Sequence, residues 1–524
     1  LDSKRFCAAR DHLSMPSTII LDGEHLGLEQ IAAVARGGAR VSLGDSARRK
    51  LVRAHDVVQR ILASDQQVYG VNTGFGLLKD IRIPRDRLDV LQLNLIRSHC
   101  AGLGDPLPPE ATRALMLLRA HVLARGHSGV RPLVVETLLD HLNADLLPVV
   151  PEQGSLGASG DLAPLSHVAL ALLGEGEVVL RGVRMRTPAA LETTGLAPLR
   201  LGPKEGLALI NGTQFITAVG VLALLQAEEL AAVADVAGAL SLEALKGSHR
   251  AFDERLQALR PHPGQVDSAA NLRALLETSE IARSHEACGR VQDAYSLRCM
   301  PQVHGSARDG IRFARSILEV EVDAVTDNPI VFPDGGDLLS GGNFHGETPA
   351  LALDLLAIAT ASLASISERR VDRLMNPVLS GLPPFLTRDA GVHSGLMMAH
   401  VTAASLVSEN KILCHPASVD SIPTEANQED HVSMGPIAAR KARAVVGHAR
   451  MVLAIEVLSA CQALDFLAPL HPGRGARAAY EAVRRAVPFM ETDRVLADDI
   501  REVERLIREG TLRAAAESVV GRLR

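Results

Sequence analysis

Ala158, Ser159 and Gly160 stand in the run Gly154-Ser155-Leu156-Gly157-Ala158-Ser159-Gly160-Asp161-Leu162-Ala163-Pro164-Leu165-Ser166-His167, where small residues lead directly into an apolar stretch. The plain reading is a loop followed by a capped helix, with Ser159 or Asp161 as cap and Pro164 in the first turn. A hydrolase elbow needs Gly-x-Ser-x-Gly, and here Ser159 has Gly157 two residues before it but Asp161 two after. Another chemistry suits the tripeptide better. In a tight turn the Gly160 nitrogen can attack the Ala158 carbonyl, and loss of water, including the Ser159 hydroxyl, leaves a five-membered ring with an exocyclic methylene. Glycine is required because a Cβ would block that compression. The product is an electrophile of a kind no standard side chain provides, and a helix N-terminus beside it favours negative charge arriving there.

Tyrosine is scarce, and its placement is informative. Of the three in the chain, Tyr69 and Tyr295 fall in polar, turn-like contexts, Tyr-Gly-Val-Asn-Thr-Gly-Phe-Gly at 69–76 and Asp-Ala-Tyr-Ser-Leu-Arg at 293–298. A packed ring with a satisfied hydroxyl is the ordinary alternative for either one. Tyr480 lies in a helical context.

The run at 158–167 resembles the signature of the aromatic amino acid ammonia-lyases and aminomutases. Five further segments match that family in order: 69–76, Gly-Leu-Ala-Leu-Ile-Asn-Gly-Thr at 206–213, Tyr-Ser-Leu-Arg-Cys at 295–299, Gly-Asn-Phe-His-Gly at 342–346, and Asn-Gln-Glu-Asp-His-Val-Ser-Met at 427–434. The resemblance extends from about residue 17 to beyond residue 460. It implies a 4-methylidene-imidazol-5-one prosthetic group, formed autocatalytically from Ala158-Ser159-Gly160, as the electrophile for the substrate amine.

Two positions point to the histidine-specific branch. Ser98-His99 stands where histidine lyases carry Ser-His, and Glu429 where they place a glutamate. An imidazole and a carboxylate can hydrogen-bond a substrate imidazole. Facing a phenyl ring they would be left unpaired, at roughly 1–3 kcal/mol per buried polar group. The implied roles are Arg298 on the substrate carboxylate, Tyr69 as general base for the β-proton, Tyr295 and Asn211 orienting the adduct, Phe344 as a wall, and His99 with Glu429 on the imidazole. The products would be trans-urocanate and ammonia. A tyrosine or phenylalanine ammonia-lyase, or a 2,3-aminomutase, is the alternative within the family. Taken singly, His99, Glu429 and Arg298 would be an ordinary satisfied histidine, a solvated acid and a surface ion pair; their ordered occurrence assigns them otherwise. Ala294, where histidine lyases often carry proline, and Thr424-Glu425, where they carry a small pair, depart from the pattern.

The elements that must position these residues read as mainly α. Apolar residues recur at three- and four-residue spacing over about 213–246, 308–323, 349–372, 395–413, 436–466 and 495–519, with Pro436 in a first turn. Such wide apolar faces can be hidden only against one another or against copies of the chain. The expected architecture is therefore a long-helix bundle, with a smaller loop-rich helical region towards the N-terminus. The resemblance adds an ammonia-lyase/fumarase-like fold, all α, and a homotetramer whose active sites draw residues from three subunits. The expected division is an N-terminal extension over 1–14, with Met15 as a candidate start, a region 15–205 carrying the tripeptide and the Tyr69 loop, and a helical body 206–524.

Composition narrows the partners. Lys+Arg 55 against Asp+Glu 61 gives a net charge of −6, which argues against nucleic acid and for a small-molecule substrate. The apolar stretches 220–242 and 350–366 approach membrane-spanning length but contain Glu228, Glu229, Asp235 and Asp354, so no membrane association is expected. Six scattered cysteines suggest neither disulfides nor a zinc site and fit a reducing cytoplasm. His285-Glu286 lacks the second histidine of a zinc helix, so no metal is expected. The cluster Arg440, Lys441, Arg443 reads as a solvated helix face.

Overall fold

A computed structural model describes residues 18–64, 66–286 and 289–524. The expected extension 1–14, Met15, Cys7 and Cys288 lie outside the described residues. The fold is mainly α, as its periodicity requires. Its centre is four long helices, Gln214–Ala244, Met300–Asp323, Glu347–Met375 and Gly435–Asp465, packed along one another.

Gln214–Ala244 carries apolar residues on every face and is largely enclosed. Two glycines let neighbours come close to it. A Cβ on Gly238 would fall 2.4 Å from the Met300 sulfur, and one on Gly220 would fall 2.9 Å from Leu353. Among the described residues three helices are long and apolar enough to cross a membrane by length and composition, yet 72%, 67% and 72% of their apolar windows lie inside the protein. The charges that interrupt them are paired there. Asp235, fully buried, accepts from Arg308 at 2.6 Å and lies 2.8 Å from His304 Nδ1. Asp354 accepts from the Ser418 amide at 2.8 Å. Glu456 meets Arg370 at 2.8 Å and takes the hydroxyls of Ser241 and Ser367.

Two expectations need correction. The stretch 495–519 is not one helix but two, Leu496–Arg508 and Thr511–Val520, broken at Gly510, whose φ of 72° is left-handed. The Arg440, Lys441, Arg443 cluster is not a solvated face. Arg443 pairs with Glu152, Lys441 lies 3.7 Å from Asp354, and all three side chains are about one-third exposed or less. The remaining long helices start and stop within a few residues of expectation, except that 308–323 begins earlier, at Met300, with Pro301 in its first turn.

Towards the N-terminus shorter helices alternate with small strand pairings, including Thr18–Leu21 parallel to Arg40–Leu43 and Leu146–Pro148 antiparallel to Glu177–Leu180. The Pro109–Ala124 helix passes through this region almost wholly buried and packs on Gln214–Ala244.

Candidate active site

Four helix N-termini converge on residues 156–161. Leu162–Leu172 starts immediately after Asp161, and Gln214–Ala244, Glu347–Met375 and Gly435–Asp465 all begin against the same loop. The contacts are direct: Met434 N donates to Leu156 O at 2.8 Å, Ser433 Oγ to Gly157 O at 3.0 Å, and Gly346 N to Gly157 O at 3.4 Å. The positive ends of these helices favour negative charge at the loop. Asp161 occupies the cap position of its own helix but serves another. Its Oδ2 accepts from the amides of Phe215 at 2.8 Å and Ile216 at 3.0 Å, at the start of Gln214–Ala244. Burial pushes its carboxyl up to about 8, against those two amides, which pull it down.

Gly160 pairs with Gly212. Asp161 N donates to the Gly212 carbonyl at 2.7 Å, and Ser155 Oγ to the Gly160 carbonyl at 3.2 Å. Gly160 has φ 74°, and a Cβ there would fall 2.3 Å from Gly212 O. This is the crowded turn that a backbone condensation of Ala158-Ser159-Gly160 requires, so these residues fit the prosthetic group that the sequence implies.

A cavity of about 490 Å³ opens over the tripeptide, and Tyr69, His99, Ala158, Ser159, Asn211, Phe344 and Glu429 all line it. Ser159 Oγ donates to Glu429 Oε1 at 2.7 Å, and Thr424 Oγ1 donates to Oε2 at 2.7 Å. A backbone bridge between Thr424 and Glu429 fixes that carboxylate, at the cost of a tight turn in which Glu425, Ala426 and Asn427 have φ of 48°, 53° and 68°. Asn211 is buried. Its Nδ2 donates to Asn328 O at 3.0 Å, while its Oδ1 has no partner among the described residues.

His99 closes the Leu88–His99 helix, with Nδ1 held by Leu95 O at 2.8 Å, which leaves Nε2 as the acceptor. Burial lowers its pKa, so the ring is neutral. Burial raises the pKa of Tyr69, and the negative charges of Glu425, Glu429 and Asp327 push the same way; the Gly76 backbone hydrogen bond to its hydroxyl works against them. Glu425 sits directly over Gly76, where a Cβ would fall 2.2 Å from its Oε2. Lys79 Nζ donates to Gln428 Oε1 at 2.6 Å and ties the Tyr69 loop to the Glu429 loop.

Tyr295 and Arg298 lie elsewhere. They sit on the short helix Tyr295–Arg298, outside this cavity, with Tyr295 71% exposed and the Arg298 guanidinium 4.8 Å from its ring centroid. One chain thus brings Ala158, Ser159, Tyr69, His99, Asn211, Phe344 and Glu429 to one cavity and leaves Tyr295 and Arg298 outside it. Sequence reasoning missed Thr424 as the partner of Glu429, Lys79 and Gln428 as the loop tie, and the buried set Arg119, Lys204 and Asp327 below Asn211. Lys204 Nζ meets Asp327 Oδ2 at 3.0 Å with both fully buried.

The chain belongs to the aromatic amino acid lyase family, whose sequence profile matches residues 26–485. Among relatives it is 57% identical over 504 residues to the histidine ammonia-lyase of Anaeromyxobacter dehalogenans (strain 2CP-C), covering 94% of this chain and 99% of that one. It is 55% identical to the histidine ammonia-lyase of Myxococcus xanthus (strain DK1622), covering 95% and 98%. Among solved structures, histidine ammonia-lyase from Trypanosoma cruzi superposes with a TM-score of 0.89 at 46% identity, covering 96% and 95% of the two chains. Tyrosine aminomutase from Streptomyces globisporus superposes with a TM-score of 0.90 at 40% identity, covering 97% and 100%.

Proposed function

We propose that the protein is an enzyme that deaminates L-histidine without oxidation, giving trans-urocanate and ammonia. The observation that carries this reading is that Ala158 and Ser159, beside the Gly160 turn pressed onto Gly212, line one cavity with Tyr69, His99 and Glu429. Ala158, Ser159 and Gly160 would hold, condensed as the family's methylidene-imidazolone, the electrophile that takes up the substrate amine.

The chain's own groups do the rest. Tyr69 removes the proton from the β-carbon. Its raised pKa makes it a strong base once ionised, and the Gly76 backbone hydrogen bond stabilises the phenolate. His99, neutral and with Nε2 as acceptor, and Glu429 engage the imidazole, and Phe344 closes the wall beside it. Asn211 Oδ1 is a buried acceptor at the cavity, free for a hydrogen bond from the bound substrate. Arg298 pairs with the substrate carboxylate through its planar fork, and Tyr295 beside it orients the adduct. Because these two stand outside the cavity of their own chain, we read the working form as a homotetramer with active sites shared between subunits. Free thiols at Cys100, Cys299, Cys414 and Cys461 support a cytoplasmic setting.

The test is direct. Purified protein incubated with L-histidine should generate the conjugated acrylate, seen by its ultraviolet absorbance, and an intact chain lighter than its sequence by two waters. Equal or faster turnover of L-tyrosine, or a β-amino acid product, would overturn the histidine lyase reading.

A further inference from the structure

Below the cavity lies a cation that touches none of the groups assigned to the substrate's side chain. Arg119, on the Pro109–Ala124 helix, is fully buried and spreads its guanidinium over the 211–213 link. Nη1 donates to Asn211 O at 2.9 Å and to Gln214 Oε1 at 2.6 Å, and Nη2 donates to Ala208 O. Two of these acceptors are carbonyls at the C-terminal end of the Glu205–Ile210 helix, where a cation is favoured. Burial pushes the guanidinium down to about 10, which still leaves it charged at neutral pH. Gln214 Nε2 donates onward to Thr326 Oγ1 at 2.8 Å. The Gly212 peptide is therefore enclosed: a Cβ there would lie 2.5 Å from Gln214 Oε1 and 2.8 Å from both Arg119 Nη1 and Thr326 Oγ1. Its carbonyl is the group that receives Asp161 N and abuts Gly160.

We propose that Arg119 is a positioning residue for the condensation of Ala158-Ser159-Gly160, acting by clamping the 211–214 backbone so that the Gly212 carbonyl holds the Gly160 turn compressed. The inference rests on reading the tripeptide as the precursor of the electrophile. In the condensation, the Gly160 nitrogen bonds to the Ala158 carbonyl carbon. That oxygen leaves as water with the amide hydrogens of Gly160 and Ser159, and a C=N bond forms to the Ser159 nitrogen. The Ser159 hydroxyl then leaves with the Ser159 α-hydrogen as a second water. The balance needs no oxidant, reductant or co-reactant. It does need the nitrogen held at the carbonyl, which an unclamped glycine turn does not ensure.

Intact mass of the full-length purified chain reads the extent of condensation independently of turnover. Wild type should lack two waters throughout. Arg119→Met should keep both waters in more than half of the chains, and Arg119→Lys, which retains the charge but not the fork, should fall between. Gln214→Leu removes the acceptor that aims Nη1 and should leave a detectable uncondensed fraction, so the inference stays testable if Arg119→Met does not fold. Arg308→Met, which breaks the buried pair with Asp235, is the control: it should lower Tm while condensation stays complete. Folded Arg119 and Gln214 variants condensed as fully as wild type would overturn the inference, as would an Arg308→Met chain that condenses equally poorly. A wild-type chain of unreduced mass would instead overturn the tripeptide reading and this inference with it.

Discussion

The backbone at Gly160 is held within its own chain by the Gly212 carbonyl, the Ser155 hydroxyl and a ring of helix starts, whereas Tyr295 is 71% exposed and lies against Arg298. Both regions are assigned to one reaction. The difference follows from what each must do. The tripeptide must be compressed before any substrate arrives, so its surroundings have to come from long-range packing of a single chain. Arg298, proposed to bind the substrate carboxylate, would only have to be in place when substrate binds, and a neighbouring subunit could supply it. On the proposed reading, assembly completes the site, and an isolated chain would be condensed but inactive.

Ser159→Ala tests the pinned region most severely. Turnover should fall by about three orders of magnitude or more, because the electrophile is lost, while size-exclusion and circular dichroism stay those of wild type. Wild-type rates would refute the assignment. Tyr69→Phe should lower kcat by about 10²–10⁴-fold with little change in KM, measured by urocanate absorbance. An unchanged rate would remove Tyr69 from the base role.

Arg298→Gln probes the exposed region and should raise KM about 10–100-fold, the loss of a charged hydrogen bond. Mixing and reassembling Tyr69→Phe chains with Arg298→Gln chains sharpens the contrast, since some sites would then draw both intact residues from different chains. Activity at low substrate above that of either parent variant supports shared sites; a mixture no more active than its parents would place both residues in one chain's site. The smallest effect belongs to Glu425→Gln. Tyr69 must lose its proton to act, so activity rises with pH through its raised pKa. Removing the negative charge of Glu425 lowers that pKa, and the rising limb of kcat should move to lower pH by a few tenths of a unit, the shift being limited by solvent screening. Movement the other way would contradict the geometry.

The helical body was legible because apolar periodicity persists over twenty or more residues in Gln214–Ala244, Glu347–Met375 and Gly435–Asp465. The break at Gly510 was missed because the periodicity resumes on the far side, although a glycine at a helix end was there to be noticed. Tyr69, His99, Ala158, Ser159, Asn211, Phe344 and Glu429 came from local motifs, and they share one cavity. Arg119 could not be found that way. It sits in an ordinary apolar helix, and its partners lie about ninety residues away in sequence. The same limit applies to Arg440, Lys441 and Arg443, whose polar spacing suggests a wet face that tertiary contacts cover.

The carboxylate of Glu429 hangs on the small Thr424–Glu429 bridge, whereas the tripeptide is anchored to the starts of four helices. Substitutions in the rim therefore leave the helix-anchored backbone of the tripeptide in place, although Glu429 and Glu425 still reach Ser159 and Tyr69. Directed evolution aimed at residues 424–429 and His99 should change which amino acid is accepted long before it endangers folding.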